Sequence, residues 1–205
     1  MALLFIEGFE QYNDELELGR GGWSGAFSSA IGNIVTGRNG GKAMENRGTL
    51  ANVRHGFTAT DFFVFGHAFR IQDQLATLNY LTFYSPGNTS MIVLRITTSG
   101  ELAILRGTTV LEETVGLNLG ADIWYYIELK ILIHDSTGTY DLVVDGISVL
   151  SDVNQDTRNG TPTEVNRFDF LGSGTIDPAI DDIYILDDAG SDNVDFLGDV
   201  RVESD

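Results

Sequence analysis

The stretch "WYYIELKILIHDSTGTYDLVVDG", residues 124–146, decides the fold that the sequence predicts. Apolar side chains alternate along its first half and share one strand face: Tyr125, Ile127, Leu129, Ile131 and Ile133. The tetrapeptide "DSTG" has the residue types of a turn, and the alternation resumes after it at Tyr140, Leu142 and Val144. The stretch therefore predicts two antiparallel strands, and its closing Asp-Gly predicts a further turn into another strand.

The same rhythm extends along most of the chain. "DFFVFGHAFRI", residues 61–71, is largely apolar on both faces, which is typical of a central strand in two packed sheets. "MIVLRITTSGELAILRGTTVLEETV", residues 91–115, reads as three strands separated by "SG" and "RG". About a dozen short strands with turn residues between them predict an all-β, two-sheet antiparallel sandwich with little helix. We expect residues 1–205 to form a single domain.

Composition and charge exclude several classes of protein. The chain has a formal net charge of −18, from 30 acidic and 12 basic residues, which disfavours binding to nucleic acid or to an anionic membrane. It contains no cysteine, so disulfides and thiol catalysis are excluded. No apolar run approaches the ~20 residues that span a bilayer, and Glu7 interrupts the first apolar stretch. We therefore expect no signal peptide and no membrane insertion.

Two motifs together resemble a known superfamily. A strand of the form W-x-x-hydrophobic begins at Trp124. The strand that returns beside it ends in V-D-G, residues 144–146. "AIDDIYILDD", residues 179–188, places Asp181 and Asp182 before a run of alternating apolar residues. In sequence and order these motifs resemble the concanavalin A-like and laminin-G-like jelly rolls. The resemblance implies a jelly-roll sandwich and leaves the function open, because such sandwiches include lectins, glycosidases and adhesion domains.

The two ends carry a second resemblance. "GFEQY", residues 8–12, and "NVDFLGDVRV", residues 193–202, are similar to segments of phage-encoded structural proteins with a jelly-roll core. The resemblance implies a protein of a tailed-phage virion, made in the bacterial cytoplasm, with an N-terminal segment (1–12) and a C-terminal segment (187–205) as assembly arms. The predicted assembly contacts are Phe5, Phe9, Tyr12, Phe196, Leu197 and Val200.

Catalytic constellations are weakly represented. Glycoside hydrolysis uses two carboxylates that flank the scissile bond, and "DELEL" offers only Glu15 and Glu17 as a pair. The three histidines are far apart, and His67, among phenylalanines, is predicted to be a core residue. No G-x-S-x-G motif and no phosphate-binding Gly-rich loop with Lys-Ser/Thr occurs.

Two ligand sites are conceivable from residue type. Hard cations bind clustered oxygens, so a calcium site is a candidate at the acidic residues that follow residue 186, namely Asp187, Asp188, Asp192 and Asp195. The alternative is that these residues form turns and a solvated surface. A glycan site needs an exposed aromatic side chain, for which Trp23 in its Gly-rich loop and Tyr84 are candidates, whereas Trp124 is expected in the core.

The sequence leads to one functional prediction with two alternatives. The prediction is a non-enzymatic virion protein without cofactor, either a capsid decoration (cement) protein or a small tail-associated protein. Its partners would be other virion proteins and copies of itself, joined through an acidic surface. The first alternative is a receptor- or glycan-binding module of a tail fibre or tail tip that contacts a cell-surface glycan. The second is a glycoside hydrolase that uses Glu15 and Glu17.

Overall fold

The computed structural model describes residues 2–25, 32–47, 52–72, 77–174, 176–190 and 195–203. Within these ranges the chain forms two antiparallel sheets that pack as a sandwich, which confirms the predicted fold class. The helical elements of these ranges are two 3₁₀ turns, Glu15–Gly21 and Arg38–Gly40. No helix in the described part of the chain is long and apolar enough to span a membrane.

One sheet has eight strands and the other has six. The strands of the first are β1 (Leu3–Glu7), β2 (Gly32–Thr36), β3 (Lys42–Asn46), β5 (Phe62–Ile71), β10 (Tyr125–Leu132), β11 (Gly138–Val144), β12 (Ile147–Gln155) and β14 (Pro178–Leu186). The strands of the second are β4 (Asn52–Thr60), β6 (Leu78–Tyr84), β7 (Ser90–Ile96), β8 (Leu102–Arg106), β9 (Thr109–Glu113) and β13 (Val165–Leu171). Their orders are β12-β11-β10-β5-β14-β3-β2, with β1 beside β14, and β4-β13-β6-β7-β8-β9.

The predicted hairpin is confirmed as β10 and β11, which pair with Ile127 opposite Val144. Asp145 and Gly146 have φ angles of 50° and 78°. Two consecutive positive φ angles are typical of the two-residue hairpin turn that matches the right-handed twist of the strands. This turn leads into β12. Trp124 differs from expectation: it packs on the outer face of the sheet, with the Arg70 guanidinium 5.0 Å from its ring centre.

Strand β5 lies at the centre of the eight-stranded sheet, between β10 and β14. Its inward side chains, among them Phe63, Phe65 and Phe69, are almost completely buried between the sheets. His67 lies in the same row and is fully buried, and this burial lowers its pKa to about 3. The imidazole is therefore neutral at physiological pH, and the prediction of a core histidine is confirmed.

The outer face of the eight-stranded sheet is covered by the C-terminal segment, residues 195–203. Phe196 and Val200 of this segment pack against apolar side chains of the sheet, which are Val64, Ala68, Tyr126, Tyr184 and Leu186. Gly66 lies beneath the Tyr184 ring, and a Cβ atom at this position would collide with the carbons of that ring. Glycine at residue 66 therefore lets Tyr184 lie flat against β5.

Polar groups fasten the same segment to the sheet. The buried carboxylate of Glu128 accepts hydrogen bonds from the Tyr184 hydroxyl and from the backbone N–H of Gly198. Asp182 accepts from the backbone N–H of Val202 at 2.7 Å. Arg38 joins Asp182 at 3.0 Å and donates to the Val200 carbonyl at 2.6 Å. Each of these carboxylates is thus compensated, as a buried charge must be.

The assembly arms of the sequence prediction pack against their own chain. Phe9 is 0% exposed and Tyr12 is 3% exposed, so the prediction that these two rings contact other proteins is wrong. Phe5 packs against the core, and Phe196 and Val200 pack on the outer face of the sheet. Leu197 is 39% exposed. The physical reason is that both ends carry enough apolar surface to be buried within the same domain.

A single carboxylate organises the N-terminal end. The buried Glu7 accepts hydrogen bonds from the backbone N–H of Phe9 at 2.8 Å, the Tyr12 hydroxyl at 2.9 Å and the Trp23 indole N–H at 3.2 Å. Burial and the Glu7 charge raise the pKa of Tyr12 to about 12. Trp23 is only 3% exposed, so the expectation that it forms an exposed glycan platform is wrong. Its N–H finds a partner in Glu7, and its ring packs among other aromatic rings.

Candidate functional site

The outer face of the six-stranded sheet carries a group of side chains that we call the arginine cluster: Arg54, Tyr84, Arg167 and Asp169. The register brings them together, since Asp169 of β13 pairs with Arg54 of β4, and Arg167 pairs with Tyr84 of β6. Directly opposed residues of antiparallel strands share a face. The intervening Phe168 and Phe170 point into the core, which turns the four polar side chains outward.

Asp169 holds the two arginines of the cluster in place. Its carboxylate is 1% exposed, accepts from Arg167 Nε at 2.8 Å and lies 3.7 Å from Arg54 Nη2. Arg167 also donates to the Asn88 side chain at 2.6 Å, and its guanidinium carbon lies 4.4 Å from the Tyr84 ring centre. Arg167 is therefore oriented by three neighbours at once.

Arg54 is less fully engaged than Arg167. Its side chain is 37% exposed, and its buried Nε–H has no hydrogen-bond partner among the described residues. The backbone of Arg54 is fixed on both sides, by β13 and by reciprocal hydrogen bonds of 2.9 Å with Ser24. A rigid backbone thus presents a guanidinium with an unused donor.

The arginine cluster is positively charged, whereas the chain as a whole is negatively charged. Two guanidinium groups face one carboxylate, so this patch is positive in a protein of net charge −18. Burial and the nearby Asp169 raise the pKa of Tyr84, although Arg167 and Arg54 oppose the shift. Tyr84 therefore keeps its hydroxyl proton at neutral pH, and it can donate a hydrogen bond rather than act as a base.

Further polar groups extend this face beyond the cluster. Arg95 of β7 donates from Nε to the Asn79 side chain of β6 at 2.8 Å. Next to this pair, Val93, Ala103 and Leu105 form an apolar cluster separate from the core. These three side chains are buried, so the accessible part of this face consists of the cationic, amide and phenol groups.

Sequence reasoning identified one residue of this site and missed the others. Tyr84 was a glycan-binding candidate, and it is partly exposed within the arginine cluster. Arg54, Arg167 and Asp169 were not predicted. A signal exists in "NRFDF", residues 166–170, where charged and aromatic residues alternate as they must on a strand with one wet face. The partner strand could be known only from the tertiary structure.

The predicted catalytic pair is not assembled as expected. Glu15 and Glu17 lie in a 3₁₀ turn capped by Asp14 rather than on a strand, so their side chains leave it in different directions. Glu17 accepts from the backbone N–H of Asn13 at 2.7 Å and pairs with Arg20 at 3.2 Å. It also lines a cavity of about 220 Å³ beside Tyr12. Glu15 is not among the residues that line this cavity.

The predicted calcium ligands have separate partners. Asp187 accepts from the backbone N–H groups of Ala2 and Ala189 at 2.8 and 2.9 Å. Asp195 accepts from Lys130 at 2.8 Å, and this hydrogen bond holds the pKa of Asp195 below its usual value. Asp188 is exposed, and Asp192 lies outside the described residues. No group of three or more metal-ligating side chains occurs within the described ranges.

No family model matches this chain, and no curated protein matches its sequence. Solved structures do match its fold. A sialidase superposes with a TM-score of 0.66 at 13% identity over 91% of this chain, which spans only 19% of the sialidase. The alginate lyase Aly36B gives 0.62 at 11% identity over 88% of this chain and 95% of the lyase. A carbohydrate esterase from the Shiga toxin-encoding bacteriophage phi24B gives 0.60 at 15% identity, over 90% and 97%.

These comparisons revise the functional predictions. The prediction that the protein is not an enzyme is contradicted, because its structural neighbours include glycan-processing enzymes. The prediction of a purely structural virion protein gains no support from these comparisons. At 11–15% identity the likeness establishes the fold alone. The chain has the fold of β-sandwich proteins that bind or process carbohydrates.

Proposed function

We propose that this protein binds or processes a glycan on the outer face of the six-stranded sheet. The observation that carries the proposal is the arginine cluster, in which Asp169 and Asn88 fix the donors of Arg167 beside a partly exposed Arg54. The fold shared with a sialidase, an alginate lyase and a carbohydrate esterase supports it. The proposal covers both binding and turnover, since both begin with recognition of the sugar.

The opposite face of the sandwich is a weaker candidate. There the C-terminal segment already fills the sheet surface with Phe196 and Val200, and the buried carboxylates are bound to protein groups. On the six-stranded sheet, by contrast, Arg54, Tyr84 and Arg95 remain partly exposed. Ligand recognition needs groups that can still exchange water for ligand, so the six-stranded sheet is favoured.

The chemistry of the cluster suits sugar recognition. Sugar hydroxyls and ring substituents accept hydrogen bonds from arginine and tyrosine, and Tyr84 stays protonated as a donor. Asp169 and Asn88 orient Arg167, which limits the conformational entropy that binding must remove. Preorganised donors on a rigid sheet are what a selective binding face requires.

A glycan array with the purified full chain tests the proposal. We expect a defined subset of glycans to bind, and Arg167→Ala to lower the signal of that subset by tenfold or more. Arg201→Ala is the matched control, because Arg201 is half exposed, forms an exposed ion pair with Glu203 and lies in the C-terminal segment that covers the other sheet. Bound glycans are then incubated with the protein and assayed for chain cleavage and for ester release. An array without any bound glycan would refute the proposal.

We further propose that the protein acts in a tailed-phage particle. The segments at residues 8–12 and 193–202 that resemble phage structural proteins support this, as does a phage esterase among the structural matches. Antibody labelling of intact particles tests it, with label expected at the tail, where a glycan-binding protein would meet a cell surface. Label absent from purified particles would contradict the proposal.

A further inference from the structure

We infer that the glycan bound at this face is acidic, and that Arg54 binds its anionic group. This inference rests on the proposed function and specifies its ligand class. The shared chemistry is an oxyanion on a sugar, a carboxylate or a sulfate. Arginine binds both through paired N–H donors, which a neutral hydroxyl does not match.

The first step of the argument is charge. The chain carries 30 acidic and 12 basic residues, so its average surface repels polyanions. Nevertheless Arg54, Arg95 and Arg167 lie on one face of one sheet. In the described strands, two carboxylates share that face. They are the buried Asp169 and Glu113, which is exposed at the β9 edge. A local positive patch in a strongly acidic protein is the expected signature of an anionic ligand.

The second step is the unused donor of Arg54. The Nε–H group is buried and has no hydrogen-bond partner among the described residues, and Nη2 lies 3.7 Å from Asp169, beyond hydrogen-bond range. A buried donor without a partner costs free energy, and proteins keep few of them. The exposed part of the guanidinium is its Nη end, for which the described residues supply no hydrogen-bond acceptor, so an oxyanion on this face would accept from the Nη groups above the buried Nε.

The third step is the division of work between the two arginines. Arg167 is committed to Asp169, Asn88 and the Tyr84 ring, so it positions the cluster. Within the described part of the chain, the charged neighbour of the Arg54 guanidinium is Asp169 at 3.7 Å, and the Arg54 side chain is 37% exposed. Asp169 lies next to both arginines. Arg167 therefore still balances the charge of Asp169 when Arg54 binds a ligand. Arg54 is therefore the residue that contacts the anionic group, and Arg167 is a positioning residue.

The experiment measures binding of the full chain to three matched probes by titration calorimetry. The probes are an oligosaccharide of uronic acids, the same oligosaccharide with its carboxyl groups reduced to alcohols, and a sulfated oligosaccharide of equal length. We expect at least one acidic probe to bind and the reduced probe to bind at least tenfold more weakly. The carboxylate and sulfate probes distinguish the two sources of the anion.

Variants then assign the contact. We expect Arg54→Ala to weaken binding of the acidic probe by at least tenfold, Arg54→Lys to weaken it less, and Arg201→Ala to leave it within twofold. Raising the salt concentration should weaken the wild-type complex and have a smaller effect on Arg54→Ala, since that variant has lost the ion pair. Thermal melting of each variant confirms that it is folded.

The outcomes separate the two proposals. Equal binding of the acidic and reduced probes by the wild-type chain would overturn this inference and leave the glycan-binding function standing. Unchanged acidic-probe binding by a folded Arg54→Ala would also overturn it. If neither these probes nor any glycan of the array binds, the proposed function fails with it. The comparison of probes needs no variant, so it decides the question even if Arg54→Ala does not fold.

Discussion

The two outer faces of this sandwich use charged residues in opposite ways. On the eight-stranded sheet Arg38 is 12% exposed and is enclosed by Asp182, Asp199 and the Val200 carbonyl, beneath the C-terminal segment. On the six-stranded sheet Arg54 is 37% exposed and keeps a donor unused. The first arrangement stabilises the fold, because Arg38 and the buried Asp182 compensate each other within the chain. The second leaves interaction capacity for a ligand.

The largest effect on stability is expected from Arg38→Ala. This change leaves Asp182, whose side chain is 4% exposed, as a buried carboxylate without its cation. Losing one partner of a buried ion pair costs about 3–5 kcal/mol. Urea unfolding measures the loss, and Arg201→Ala, on an exposed pair, serves as control. A loss below about 1 kcal/mol, the range of surface pairs, would contradict the view of this face as structural.

The next effect depends on pH and concerns Asp181. Burial, followed by the charge of Asp182, raises the pKa of Asp181 to about 8 from its ordinary value of 3.8. The folded chain thus retains a proton that the unfolded chain has lost, so this group makes stability fall as pH rises between about 4 and 8.

Asp181→Asn removes that titration. Relative to wild type, the variant should gain stability as pH rises from 4 to 8, by roughly 1.4 kcal/mol for each pH unit. Unfolding curves at several pH values measure this difference, and Asp188→Asn, at an exposed position, is the control. Parallel pH profiles for wild type and Asp181→Asn would show that Asp181 titrates normally.

A smaller loss is expected from Gly66→Ala. The added methyl group would collide with the Tyr184 ring that lies on β5. Overpacking of this kind costs about 1–3 kcal/mol. Gly19→Ala is the control, because a Cβ atom there meets nothing within 4 Å. If Gly66→Ala unfolds at the same urea concentration as wild type, the C-terminal segment and Tyr184 can move away from β5 at little cost.

The smallest effect on stability is expected from Arg54→Ala. Its ion pair with Asp169 spans 3.7 Å and is partly exposed, and such pairs contribute at most about 1 kcal/mol. Arg54→Ala should therefore lower the free energy of unfolding much less than Arg38→Ala does. It should nevertheless remove most of the affinity for the acidic probe. A large loss of stability in Arg54→Ala would make the arginine cluster a structural element like its counterpart.

The sequence could predict the parts of this protein that depend on neighbouring residues. Alternation between Tyr125 and Ile133 is enough to predict β10, and the Asp145-Gly146 pair is enough to predict the turn after β11. Burial of His67 followed from its place in a row of phenylalanines. These features arise from side-chain period and backbone conformation, which act over a few residues.

Other features could not be predicted because they depend on which strands become neighbours. Trp23 in a Gly-rich loop gave no sign that Glu7 would accept its indole N–H. Residues 195–203 gave no sign that they would cover their own sheet rather than a partner. Both errors overestimated exposure, since an aromatic side chain in a loop or at a terminus is buried whenever the rest of the domain offers an apolar surface.

The sequence by itself determined an all-β sandwich, its central hairpin and its acidic character, because strand period, turn residues and net charge are written in the order and number of residues. Only the tertiary structure decided which charges face each other. Arg54 and Asp169 lie far apart in the chain and meet through the register of β4 and β13, while Arg38 and Asp182 meet at the opposite sheet. Register is set by the packing of the whole core, so the candidate site exists only in the folded protein.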